Sequence, residues 1–355
     1  MIFNQLNDTS CKTYLLGGKE SSIILIDPVL EGVESYLNYI SEKNYQLSAV
    51  IDTHSHADHI SGAAVLKDRT DCEYIMHEHA PSQCVTWRVK EGDIIEIADL
   101  RLKVIETNGH TNDSISLILD DKLFTGDALF LDDGGAGRDD LPGGDPAKHW
   151  DSLQKFKQLP ENLIVYPAHD YRNRESSNLA KQKQTNPHLR DRTKEDFVNY
   201  LNDLRLGPAD WMKDVLKANY SCAQDPNAAW IPIDAPSCEV KGTLDVGINE
   251  ILIDSISAEK LSEWLHKDKE PFMLDVREPH ELRQQLGQIE GVVNIPIGKL
   301  IASLGKLEDK KDDEIILVCR SGARAHTAAQ IMKKVGFTRT LVLEGGMIAW
   351  NRLMY

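Results

Sequence analysis

Apolar positions along this chain come in short bursts, and the spacing of the bursts sets out its elements. YLLGGKESSIILIDP, residues 14–28, reads as two strands around a Gly-containing turn. SAVIDTHSHADH, residues 48–59, is a β-rich apolar run that ends in a polar loop crowded with histidine. ISGAAVLKD then carries helix formers, so that loop lies between a strand and a helix. RLKVIET, SISLILD and KLFTGD predict further short strands, and residues 175–220 are polar with a helical pattern. Residues 222–250, with Pro226, Pro232 and Pro236 and several glycines, read as a linker. ISAEKLSEWL begins a new unit, with Ser257 as a helix cap. FMLDVRE, EIILVCRSG and TLVLEGG are apolar strands separated by helical stretches, the alternation of a small parallel sheet. The expected organisation is α/β: a domain over 1–221, a linker over 222–250 and a second domain over 251–355.

Composition narrows the class. At 355 residues the chain exceeds one ordinary core. It is 41% hydrophobic and 27% charged, the balance of a globular protein. Its longest apolar runs, such as LIVY at 163–166, fall far short of the ~20 residues of a membrane span. A net charge of −16 argues against nucleic-acid partners and anionic membrane surfaces. The N-terminus has no basic stretch followed by an apolar one and reads as no signal peptide. The six cysteines (11, 72, 84, 222, 238 and 319) lack paired spacing and read as the reduced thiols of a cytoplasmic protein. A homodimer is compatible with all of this.

The chemistry concentrates in THSHADHISG. His54, His56, Asp58 and His59 share one loop, and imidazole is the commonest metal ligand in proteins. Three further candidates each follow an apolar run: His110 in NGHTNDS, Asp127 in FTGDAL and His169 in VYPAHDY. Loops at such strand ends gather over one sheet edge, which makes seven candidate ligands for one site.

The order HxHxDH, GH, GD and a late HD resembles the metallo-β-lactamase superfamily over roughly the first 220 residues. That resemblance implies an αββα sandwich with metal at the edge between two sheets. Two branches of the superfamily compete. Glyoxalase II usually carries an aromatic residue where Ala57 stands and uses all seven ligands for two metals. THSHADHISG, GHTNDS, FTGDAL and YPAHDY followed by TNPHL resemble the persulfide dioxygenases more closely. In that family one Fe(II) per chain is held at positions matching His54, His110 and Asp127. Two histidines and a carboxylate form the facial triad of non-haem iron oxygenases. The implied reaction takes a low-molecular-weight thiol persulfide, O2 and water to thiol and sulfite, with glutathione as the default carrier. His56, Asp58, His59 and His169 then become supporting groups or a second metal site. The complete dinuclear set leaves a dizinc thioester hydrolase as the alternative, and zinc as a substitute metal. Arg138 matches the family's arginine, but Asp139 and Leu141 stand where threonine and phenylalanine usually follow. Arg138 and Tyr171 are therefore candidates for binding the carrier, as are Arg172 and Arg174 for an anionic one.

The second unit has its own site. VCRSGARA places Cys319 directly after an apolar strand, on a loop that opens a helix. Such a loop turns backbone N–H groups toward one point and favours a thiolate, with Arg320 and Arg324 beside it. The other five cysteines read as ordinary packing or surface thiols. LDVREPHE, GVVNIP, CRSGARA and LEGGMIAW, in that order, resemble a single rhodanese domain over about 100 residues. The six-residue loop from Cys319 to Arg324 has the sulfurtransferase length. The resemblance implies Cys319 and Arg324 as catalytic, Arg320 as substrate-binding, and thiosulfate or sulfite as partners. Asp275 and Arg277 would be structural.

Overall fold

The computed structural model describes residues 1–7, 9–18, 21–172, 174–203, 210–229, 231, 238, 253–267 and 271–354. They divide into two compact units, one ending at Ile231 and including Cys238, the other beginning at Ile253.

The first unit is built on two sheets. One is ordered β1 (Ile2–Gln5), β2 (Tyr14–Gly17), β3 (Ser22–Ile26), β4 (Gln46–Ile51), β5 (Glu73–His77) and β6 (Trp87–Val89). The other contains β7 (Ile94–Ile97), β8 (Leu100–Glu106), β9 (Ile115–Leu119), β10 (Lys122–Gly126) and β11 (Ile164–Pro167), in spatial order 11-10-9-8-7. Alternation along the strands splits their side chains between two cores. Leu16, Ile24, Ile26 and Ile51 of the first sheet pack against Leu102, Val104, Leu117 and Phe124 of the second. Leu15, Ile23, Leu25 and Val50 face the other way, onto α1 (Val33–Glu42), α2 (Ala63–Thr70) and α6 (Asp210–Tyr220). The outer face of the second sheet, with Leu123 and Val165, is covered by α3 (Pro146–Gln158), α4 (Leu179–Thr185) and α5 (Lys194–Asp203). The result is the expected αββα sandwich.

The second unit is a parallel five-stranded sheet of β12 (Asp254–Ile256), β13 (Phe272–Asp275), β14 (Val293–Asn294), β15 (Ile315–Val318) and β16 (Thr340–Leu343), in spatial order 12-16-15-13-14. Its helices are α7 (Ala258–His266), α8 (Ile297–Ser303), α9 (Ala323–Lys334) and α10 (Gly346–Met354). Ser257 caps α7 as expected, its hydroxyl accepting from the Lys260 N–H. No described helix is long and apolar enough to cross a membrane.

One expectation needs correction. The cysteines are not all reduced: Cys84 and Cys222, 138 residues apart, form a disulfide. Their pairing leaves no mark in sequence spacing, because it joins a loop after β5 to the end of α6. The described residues of the expected linker lie against the first unit. Cys222 is covalently held, Ala223, Ala229 and Ile231 pack on the core of the first unit, and Cys238 is buried in it. Residues 230, 232–237 and 239–250 of that segment lie outside the described residues.

Candidate functional site

The histidine loop leaves β4 at the sheet edge and is pinned from below. The Thr53 N–H donates to Asp27 Oδ1 over 2.7 Å, and its hydroxyl lies 2.9 Å from Asp27 Oδ2. With Thr53 donating to that carboxylate, its oxygen accepts from His54 Nδ1, 2.9 Å away. The His54 Nε2 lone pair then faces inward. His110 is fixed the same way: its Nδ1 lies 2.6 Å from the Arg138 carbonyl, which only accepts, so Nε2 carries the lone pair. Asp127 follows β10, and its Oδ1 accepts from His169 Nδ1 at 2.6 Å.

The three inward atoms converge. Asp127 Oδ2 lies 3.8 Å from His54 Nε2 and 3.6 Å from His110 Nε2. Each of the three is buried and has no hydrogen-bond partner. Leaving one such group unpaired costs ~1–3 kcal/mol, and three pointing at one another fit a cation. Burial and the neighbouring rings hold the His54 pKa down to about 3, so the ring is neutral as a ligand must be. Burial alone would raise the Asp127 carboxyl; the His169 and His54 rings override it and hold it below the usual range.

The other four candidates sit elsewhere. His56 Nε2 lies 3.2 Å from Asp27 Oδ1, with its ring centroid 4.3 Å from that of His54. His169 spans two carboxylates, Asp127 on one nitrogen and Asp58 Oδ2 at 2.7 Å from the other. Burial opposes protonation of this ring, but Asp127 and Asp58 outweigh it and raise its pKa well above the ordinary value. His59 Nδ1 lies 3.3 Å from Asp58 Oδ2. Cys11 completes a set with Asp58, His59 and His169 whose ligand atoms all lie within 4.8 Å of one another, and Cys238 forms another with Asp127 and His169. Cys11 and Cys238, expected to be packing or surface thiols, thus also lie within reach of candidate ligands. Neither stands near a motif; only the fold brings them to His169.

Arg138 is buried, and its guanidinium grips Asp140 through Nε at 2.6 Å. Tyr171 stacks on His169, ring centroids 5.7 Å apart, and its hydroxyl accepts from the Cys238 N–H. Arg172 pairs with Asp133, and Arg174 with Asp133 and Asp170. Ala57, Phe130, Leu141 and Cys238 form an apolar cluster against Tyr171.

In the second unit the loop after β15 folds as its sequence implies. The Gly322 and Ala325 N–H groups approach Cys319 Sγ at 3.2 and 3.4 Å. Gly346, at φ +54°, lets its backbone pass against the Cys319 carbonyl, where any Cβ would collide. Arg324 forms a two-pronged pair with Glu281, at 2.6 and 2.7 Å. Arg320 is exposed beside the loop. Arg277 is buried against Asp275.

Family comparisons agree with this geometry. Residues 6–169 match the metallo-beta-lactamase superfamily and residues 257–353 the rhodanese-like domain. The human mitochondrial persulfide dioxygenase ETHE1 is 33% identical over 235 residues, 64% of this chain and 91% of that protein. The chain belongs to the persulfide dioxygenase family. A rhodanese-like domain follows in the same chain. The crystal structure of ETHE1 from Myxococcus xanthus is 37% identical, covers 62% of this chain and 99% of its own, and superposes with a TM-score of 0.59. A metallo-beta-lactamase from Staphylococcus aureus, 22% identical, shares the fold over 96% of this chain and 99% of its own, with a TM-score of 0.60.

Proposed function

We propose that the first unit oxidises a low-molecular-weight thiol persulfide with O2 and water to thiol and sulfite, and that Cys319 in the second carries sulfane sulfur. The observation that carries the reading is the trio of unpaired, inward-facing atoms on His54, His110 and Asp127 in a member of this family. One Fe(II) per chain, held by these three, supplies redox chemistry that zinc lacks. The chain's own groups do the rest. The Arg138 carbonyl and Thr53 hydroxyl keep His110 and His54 in the ligating tautomer. His169, between Asp127 and Asp58, holds a proton beside the centre. The apolar cluster of Ala57, Phe130 and Leu141 limits water. Tyr171 offers a face to the thiol carrier, for which glutathione is the default. Arg320 beside Cys319 suits thiosulfate or sulfite, and the Arg324–Glu281 pair orders the loop.

A dizinc thioester hydrolase draws on the set formed by Cys11, Asp58, His59 and His169. The observation that favours this second reading is His169 Nε2, which lies 2.7 Å from Asp58 Oδ2 and has no hydrogen-bond partner, while Nδ1 donates to Asp127. A cytoplasmic location remains part of the proposal; the Cys84–Cys222 disulfide is the observation against it. The test is metal analysis of protein produced without added zinc, together with oxygen uptake on a small persulfide. One iron per chain and uptake abolished by replacing His54, His110 or Asp127 is the expected result. Two tightly bound zinc ions, thioester hydrolysis and no uptake would overturn it.

A further inference from the structure

We propose that Asp139 and His149 form a positioning couple that sets the candidate metal centre from outside it. Asp139 stands in the stretch Gly137–Leu141, where this chain departs from the pattern of its family, and His149 lies in α3. Both are buried, His149 completely. Nδ1 of His149 lies 2.7 Å from Asp139 Oδ1, and Nε2 lies 2.8 Å from the Ala128 carbonyl. Each nitrogen faces an acceptor, so both donate and the ring is a cation opposite the Asp139 carboxylate.

What this cation touches makes it more than a buried ion pair. Ala128 is the residue after Asp127. Asp139 is the residue after Arg138, whose carbonyl receives the His110 Nδ1 proton. On its third side His149 packs on the backbone of Gly109, the residue before His110. Gly109 has φ +151°, and any Cβ there would collide with His149 Cα and Cβ. The Gly109 carbonyl also accepts from the N–H of Asp145, which caps α3. One ring therefore ties together the segments that carry two of the three inward-facing atoms, and fixes both ends of the His110 hydrogen bond. A shift of the Arg138 carbonyl would free the His110 tautomer and turn its lone pair away.

The inference rests on the metal reading of His54, His110 and Asp127, and the experiment separates the two. Full-length parent, Asp139→Asn, His149→Gln, the double variant and His110→Ala are each loaded anaerobically with one equivalent of Co(II). Their visible absorption, the rate of metal release to a chelator and the thermal transition are recorded. Each single variant is expected to shift the absorption bands and speed release by roughly 10- to 100-fold, the usual cost of losing such a support. The double variant should be no worse than the poorer single. If both singles fold and keep the parent spectrum and release rate, or if the double is simply additive, the couple is overturned. Should Asp139→Asn not fold, His149→Gln, which keeps an amide donor toward Ala128, decides alone. If His110→Ala binds Co(II) with the parent spectrum, the metal reading itself has failed.

Discussion

The side-chain amide of Asn219, in the last turn of α6, donates to the main-chain carbonyl of His59 over 2.9 Å. The same nitrogen reaches the His56 carbonyl at 2.8 Å, and its Oδ1 accepts from the Ser61 N–H at 2.9 Å. Three backbone groups of the histidine loop thus depend on one side chain 160 residues away. Asn219→Ala leaves those largely buried groups unpaired, at ~1–3 kcal/mol each. We expect a thermal transition of the first unit lowered by several degrees and faster metal loss to a chelator. Asn219→Asp, which keeps the acceptor and loses the donor, should fall between. Unchanged stability in Asn219→Ala would mean that water replaces the clamp.

The Cys84–Cys222 disulfide lies three residues beyond that clamp and closes a loop of 138 residues. In the chain-entropy picture a loop of that length stabilises by at most about 5 kcal/mol. Both cysteines are partly exposed and open to exchange with small thiols. Reduction should release the end of α6, and with it Asn219. The Cys84→Ser/Cys222→Ser variant is expected to unfold at lower denaturant than the oxidised parent and to match the reduced parent. Equal midpoints for reduced and oxidised parent would show that the bond carries no stability.

The site was more legible than its surroundings. Strand-end motifs pointed seven candidate ligands to one sheet edge, because a ligand-rich loop after an apolar run has few other places to go; the choice of His54, His110 and Asp127 among them came from the family resemblance. Local pattern also found β2, β3 and β4 and the Ser257 cap of the second unit. What stayed hidden depends on long-range pairing. Cys11 reaches His169 through the bridge between their backbones, Cys238 returns from beyond α6, and Cys84 meets Cys222 across 138 residues. Nothing local in the sequence says that His149 faces Asp139.

His188 predicts an acid-sensitive term that needs no metal. It is buried, neither ring nitrogen has a partner, and burial, then the charges of His149 and Arg192, hold its pKa down to about 3. The ordinary value is ~6.5, so the unfolded chain takes up the proton first. Stability from this residue is complete above about pH 6.5 and falls as the pH drops toward 3, by up to ~1.4 kcal/mol per unit. His54 and His56, held to about 3 and 4, act in the same direction. His188→Leu should flatten the fall in denaturant midpoint between pH 7 and 5 by its share while preserving stability at pH 7. An identical slope in the variant would show that His188 is not the titrating group.

Cys319 gives the test of independence between the two chemistries. Its sulfur accepts from Gly322 and Ala325 N–H groups at the start of α9, an arrangement that suits an anionic sulfur or a bound persulfide. Serine keeps the size and the hydrogen bonds but cannot carry sulfane sulfur. Cys319→Ser is therefore expected to lose sulfur transfer from thiosulfate to a small thiol by at least 100-fold. Glu281→Gln, which loosens the pair with Arg324, should slow that transfer without abolishing it, since the thiol and its N–H donors remain. Oxygen uptake on added persulfide should be unchanged in both, because no group named at the candidate metal centre comes from residues 253–354. A folded Cys319→Ser protein that keeps its metal yet no longer consumes oxygen would mean that the persulfide reaches the centre by way of Cys319. The small thiol would then not be a free carrier, and the two reactions would be one sequence.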